Sequence, residues 1–220
     1  MSQKTLELLK LAQNAALYNV KYAKDVYAEV VWLINDIIDA LKPLLSNAES
    51  LVKSAFTFSV VHIVMPLSYG ILYDFLFGNL PACFMQLRTI TETLVKAYYA
   101  DTVETDFFET KLQRFEKLLK EKQISTSKVF KWLEKESPEA SRIALRIWGK
   151  CSENWVHPYG WSKRFVDAIV KQGAPPAHSL GIPTRYSEGD RESLTELKKA
   201  LQSLRSLLKT LFRLYTNRKT

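Results

Sequence analysis

The chain has 220 residues, 47% of them hydrophobic and 25% charged, and its 31 basic and 23 acidic side chains give a formal net charge of +8. That balance excludes a disordered polymer, which is poor in apolar residues, and two cysteines exclude a disulfide-built scaffold. The basic surplus attracts polyanions and anionic membranes, leaves open both a nucleic-acid partner and a merely well-solvated surface, and bears on association rather than on fold.

Only seven glycines and eight prolines occur, with three prolines between Pro175 and Pro183. The remainder is short of breakers, so long helices are expected. From Thr5 to Leu45, apolar residues recur at Leu17, Val20, Tyr27, Val31, Ile34, Ile38, Leu41 and Leu45. The steps are three and four once Lys24 is counted, which predicts one amphipathic helix ended or kinked by Pro43. Ser46 or Asn47 would cap the next helix.

Residues 55–73, AFTFSVVHIVMPLSYGILY, contain no Asp, Glu, Lys or Arg. Their hydropathy reaches that of a membrane-span candidate, but His62, Pro66 and several hydroxyls interrupt it. A buried core helix broken near Pro66 is expected, and a membrane helix is the lesser alternative. Pro81 suits the first turn of a helix over Leu80–Ala100. A charged helix from Glu104 to Lys122 follows, burying Leu112, Phe115, Leu118 and Leu119.

Ser125 or Ser127 opens a short helix through Trp132 and Leu133. Ser137-Pro138-Glu139 then combines a cap, a first-turn proline and an early acid. The helix it starts runs to about Trp155 and stops at His157-Pro158, because the residue before proline is pushed out of the α region. A short helix spans Trp161 to Lys171, and residues 172–190 read as an extended loop. Ser187 or Asp190 caps the last helix, 191–217.

In that last helix Leu194, Leu197, Leu201, Leu204, Leu208, Leu211 and Tyr215 alternate in steps of three and four. Such a seam packs along a neighbouring helix or along a second copy. No acid follows Glu196 in the helix, which makes Arg205, Lys209 and Arg213 candidates for a nucleic-acid-binding strip. The fold class expected is all-α: a single domain over 1–220, an antiparallel bundle with long N- and C-terminal helices.

Catalytic signatures are absent: no GxxxxGK[ST], GxSxG or HExxH occurs. His62, His157 and His178 have no metal spacing, Cys83 and Cys151 sit in apolar helical surroundings, and neither metal nor cofactor is expected. The start, MSQKTLELLK, has no signal-peptide core, so a cytoplasmic location is expected. Two polar clusters stand out from apolar surroundings. Arg88 and Glu92 lie four apart on one helix face beside Phe84, Met85, Val95 and Tyr99. Cys151 to Trp161, CSENWVHPYGW, sets Ser152, Asn154 and His157 among Trp155, Tyr159 and Trp161 at a helix end. A histidine there feels the helix C-terminus, and the aromatics offer stacking surface.

The helix reading LRTITETLVKAYYAD together with the later SENWVHP resembles prokaryotic members of the HEPN superfamily (higher eukaryotes and prokaryotes nucleotide-binding). The resemblance covers about Gly78 to Trp161. It implies an α-helical bundle, commonly a homodimer, that binds RNA or cleaves it without metal in defence or toxin systems. The catalytic form of that family has an arginine separated from the histidine by four to six residues. Counting back from His157, those positions hold Ser152, Cys151 and Lys150.

The implied set is therefore His157 to move a proton, with Lys150, the more distant Arg146, or Arg88 beside Glu92 to steady the phosphorane charge. Trp155 and Tyr159 would stack on bases. The alternative from another class is a non-catalytic interaction or oligomerisation module built on the C-terminal seam.

Overall fold

The computed structural model describes residues 3–45, 54–102, 113, 115–116, 119–120, 125–173 and 183–218. These residues form eight helices and no strand. Ser46, Asn47, His178 and most of the expected helix from Glu104 to Lys122 lie outside them, as does the side chain of Trp161. Within that expected helix Phe115 is buried, whereas Leu119 is exposed.

Helices α1 (Gln3–Tyr22) and α2 (Lys24–Leu45) replace the single N-terminal helix, with a turn residue, Ala23, between them. Pro43 sits inside the last turn of α2 without ending it. The face of α2 that enters the core is Val26, Val30, Leu33, Ile37 and Leu41, one step round from the expected stripe. The helix is apolar over so wide an arc that spacing alone leaves its buried centre undefined. On α1, by contrast, Leu6, Leu8, Leu9, Leu11 and Leu17 are exposed, and burial is confined to Ala15 and Asn19.

Helix α3 spans Ala55–Leu76 without a break at Pro66. A π-turn, Val60–Val64, sits just before the proline, and the Met65 N–H closes it onto the Val60 carbonyl. A wider turn gives the pyrrolidine ring the room that an ordinary α-turn denies it. Among the described residues this is the one helix long and apolar enough to cross a membrane, and under half of its most apolar stretch is buried. Its start is held by Asp101, which accepts from Ser54 Oγ at 2.6 Å, Ala55 N at 2.9 Å and Phe56 N at 3.1 Å.

Helix α4 (Leu80–Thr102) runs back along α3 and is the most enclosed element, with thirteen buried residues from Leu80 to Ala100. Helix α5 (Thr126–Glu136) starts at Ser125, whose hydroxyl accepts from Lys128 N. Ser137 likewise caps α6, whose α-helical part, Pro138–Cys151, continues into a second π-turn, Ser152–Val156. Helix α7 (Pro158–Gln172) ends at Gly173 with φ 71°, a left-handed cap that favours glycine.

Helix α8 (Arg191–Asn217) closes the bundle. Its approach is fixed by Asn19 of α1, which donates to the carbonyls of Leu76 and Thr184 and accepts from Tyr186 N. All seven seam residues of α8 are buried within the chain. One hydrophobic cluster joins them to buried side chains of α2, α3, α4, α5 and α6. Sequence-adjacent α3 and α4 are antiparallel, whereas α8 lies parallel to α2, since Asp25, Glu29 and Asp36 meet Lys198, Arg205 and Lys209 in ascending order.

Candidate functional site

Every third or fourth residue of a helix returns to one edge. On α6 the edge Arg146, Lys150 and Asn154 faces the first half of α8, which presents Glu192, Thr195, Lys199 and Ser203 at the same spacing. Between them lies an open cleft of about 420 Å³, floored by Phe84, Ile147, Cys151 and Trp155. Arg146, Lys150 and Lys199 form no ion pair among the described residues. Burial pushes the Cys151 thiol up to about 12, against the pull of nearby Arg88 and with the push of Glu196. The thiol is therefore neutral at pH 7 and no nucleophile.

Trp155 is only 4% exposed. One ring face stacks on Phe84, with centroids 4.2 Å apart and planes at 11°. Over its ring the guanidinium carbon of Arg164, on α7, stands 4.4 Å from the centroid. Trp155 thus meets the cleft by its rim rather than as an open platform. Tyr159 is the reverse case, 78% exposed at the start of α7. His157 precedes that helix with its side chain exposed, and its N–H donates to the Ser152 carbonyl at 3.1 Å. Three residues on, Gly160 approaches the π-turn so closely that a Cβ would lie 2.0 Å from the Glu153 carbonyl oxygen.

Arg88 and Glu92 share a helix face but do not pair with each other. Glu92 accepts from Lys96 Nζ at 2.5 Å, Thr126 Oγ1 at 2.7 Å and Trp148 Nε1 at 3.3 Å. Burial works to raise its carboxyl, but these three bonds and the Lys96 charge outweigh that and hold it below the usual range. Arg88 lies under α6, 5.5 Å from the Trp148 ring centroid, with its Nε buried and unbonded. Among the described residues no hydrogen bond joins Arg88 to His157. Glu92 thus locks α4 to α5 and α6, while Arg88 packs against Trp148 of α6.

The basic strip of α8 is largely spent on α2. Arg205 bonds Asp36 at 2.7 Å and Glu29 at 2.8 Å while lying over Trp32, and Lys209 reaches Asp36 at 3.3 Å. Arg213 remains exposed. Of the expected site residues the structure gathers Lys150 and Trp155 into one cleft, with Arg146. It adds Lys199 and Glu196 to that cleft and sets Arg164 against Trp155 and Glu196 at its edge, three residues that no local motif distinguishes. Comparison of the chain with protein-family models, with curated proteins and with solved structures finds no match.

The cleft offers three cations, the carboxylates of Glu192 and Glu196, hydroxyls and an amide over an apolar floor. No metal-holding group of three or more His, Cys, Asp or Glu is present among the described residues.

Proposed function

We propose that the chain is an RNA-associated helical protein of the HEPN type that holds a single strand along the cleft between α6 and α8. The observation that carries this is the set Arg146, Lys150 and Lys199 around a cleft of small-ligand size, unpaired among the described residues, while Lys198, Arg205 and Lys209 are all paired with acids. Unpaired cations at a cleft release counterions when phosphates replace them, which gives salt-dependent affinity. Tyr159 and His157 stand exposed at the α6–α7 junction, where a base and a 2′-hydroxyl would find an aromatic ring and an imidazole.

The test is the affinity of the full chain for a short unstructured ribo-oligonucleotide at several salt concentrations. Replacing Arg146, Lys150 and Lys199 together by glutamine lowers the affinity and reduces the logarithmic salt slope by about two. An unchanged slope overturns the assignment. Cleavage is read in the same mixtures: a catalytic His157 requires that His157→Ala retain binding and lose cleavage, and equal cleavage by both proteins removes that role.

A second reading, an oligomerisation module, draws on α1 rather than on the C-terminal seam, which is consumed inside the chain. Leu6, Leu8, Leu9 and Leu11 are exposed on a half-helix that buries nothing, and an isolated helix of that length is marginal in water. Sedimentation at the monomer mass over the accessible concentration range overturns it.

A further inference from the structure

The charges that line the cleft are sorted along its length. Arg164 lies over Trp155 and also bonds Ser193 and Glu196. The end of α6 that carries Trp155 therefore meets the start of α8, and the two helices run antiparallel along the cleft. From that end the lining runs Glu192, Glu196, Lys199 on α8 and Asn154, Lys150, Arg146 on α6. Carboxylates stand at one end and cations at the other, with Arg146 and Asn154 about 12 Å apart along the helix axis.

The two acids differ in what they already hold. Glu196 is ion-paired with Arg164. Glu192 is exposed and forms no hydrogen bond or ion pair among the described residues. The turn that leads into α8 is already served by the capping box of Ser187 and Asp190. Glu192 thus brings both carboxylate oxygens to the cleft unengaged.

A cleft shaped for phosphates along its whole length would carry no acid, because a carboxylate repels a phosphate. An acid at one end of a basic cleft accepts instead from neutral N–H donors. Unstacked bases of a single strand present such donors on their Watson–Crick edges. Guanine is the one common base with two adjacent donors there, N1–H and N2–H. They meet the two oxygens of one carboxylate in parallel, as a guanidinium does. Uracil offers one N–H, and adenine and cytosine set an acceptor nitrogen beside their amine, facing the carboxylate.

We propose that Glu192 selects a guanine base in a strand whose phosphate is held by Arg146, Lys150 and Lys199. The inference rests on the cleft reading above and adds the base that the cleft prefers. Asn154, at the same end as Glu192, supplies an amide N–H to the guanine O6. The apolar floor of Phe84, Ile147 and Cys151 lowers the local dielectric beneath the pairing, and a charge-assisted bond is stronger there than in open water.

The experiment measures the affinity of the full chain for five-nucleotide uridine strands whose middle base is guanine, hypoxanthine, uracil, adenine or cytosine. The guanine strand binds tightest, about tenfold or more above adenine and cytosine, the effect of hydrogen bonds to a charged group. Hypoxanthine keeps N1–H but lacks the N2 amine, and falls between, near uracil. Glu192→Gln turns an amide toward the donors and brings the five strands to within about twofold of one another, without change in the salt slope. Because Glu192 is exposed and bonds nothing in the fold, this variant keeps the wild-type denaturation midpoint. Replacing Arg146, Lys150 and Lys199 by glutamine weakens all five strands alike and preserves their order.

Equal affinity for the five strands, with a salt slope that still depends on the three cations, overturns the guanine reading and leaves the cleft reading standing. A guanine preference that survives Glu192→Gln overturns the role of Glu192, and so does a variant that binds every strand more tightly by one common factor. No binding of any strand by the wild-type protein overturns both readings.

Discussion

Helix α8 shows two faces that treat charge in opposite ways. Toward α2, Lys198, Arg205 and Lys209 are matched by Asp25, Glu29 and Asp36, and Gln202 adds a bond to Glu29 at 2.7 Å. Toward α6, Lys199 lines an open cleft with Arg146 and Lys150, beside Glu192 and Glu196, and none of the three cations forms an ion pair among the described residues. The first arrangement fixes the position of a helix whose parallel run beside α2 no short connection enforces. The second holds no ion pair for these three cations, so it contributes little to the position of either helix. A helix that used all its cations for structure would show the first pattern on both sides.

The contrast breaks most readily at the seam between those faces. Leu204 is fully buried, and Leu204→Ala leaves a cavity that costs about 2–5 kcal/mol; equilibrium denaturation reads the loss. On the α2 face, Glu29→Ala strips Arg205 and Gln202 of a buried partner. The expected cost is about 2 kcal/mol, with Asp36 still holding the guanidinium. A loss near zero would make that face as idle as the other.

The polar lock under α6 answers to pH. The Glu92 carboxyl is depressed below its ordinary 4.5, so its contribution is complete above that value. It fades as acid carries the pH down through the folded-state pKa. Stability measured from pH 6 downward therefore falls more steeply in the wild type than in Glu92→Gln. Parallel curves would remove the lock. The smallest effect belongs to the cleft. Neutralising Arg146, Lys150 and Lys199 shifts stability by no more than about 0.5 kcal/mol each, while changing RNA affinity strongly. A large destabilisation would turn the cleft back into a structural joint.

Much of this architecture is written locally. Ser137-Pro138, the seam from Leu194 to Tyr215 and the stop at His157-Pro158 depend on neighbours within a turn or two, and each lies where its pattern puts it. Pro66 reads as a break because the π-turn that accommodates it has no sequence signature. The partner of Glu92 was legible in part: Lys96 lies four residues after it, in the favourable order of acid before base, whereas Arg88 precedes it. The burial of Trp155 depends on Phe84 and Arg164, remote residues on other helices, and no spacing within CSENWVHPYGW encodes them. Arg164, Glu196 and Lys199 escape notice for the same reason.

The π-turn at Ser152–Val156 has a consequence in rotation. An α-helix turns about 100° per residue, and a π-turn inserts one residue's worth of phase into an otherwise regular helix. Everything that follows is therefore aimed about a quarter of a revolution away from where an uninterrupted α6 would point it. Removing a single residue from 152–156 would leave the composition and the helix content almost unchanged. It would nevertheless swing Pro158 and all of α7 to another bearing, carrying Arg164 off the Trp155 ring. The angular setting of α7, and with it the seat of Arg164 on the Trp155 ring, is held in one surplus residue.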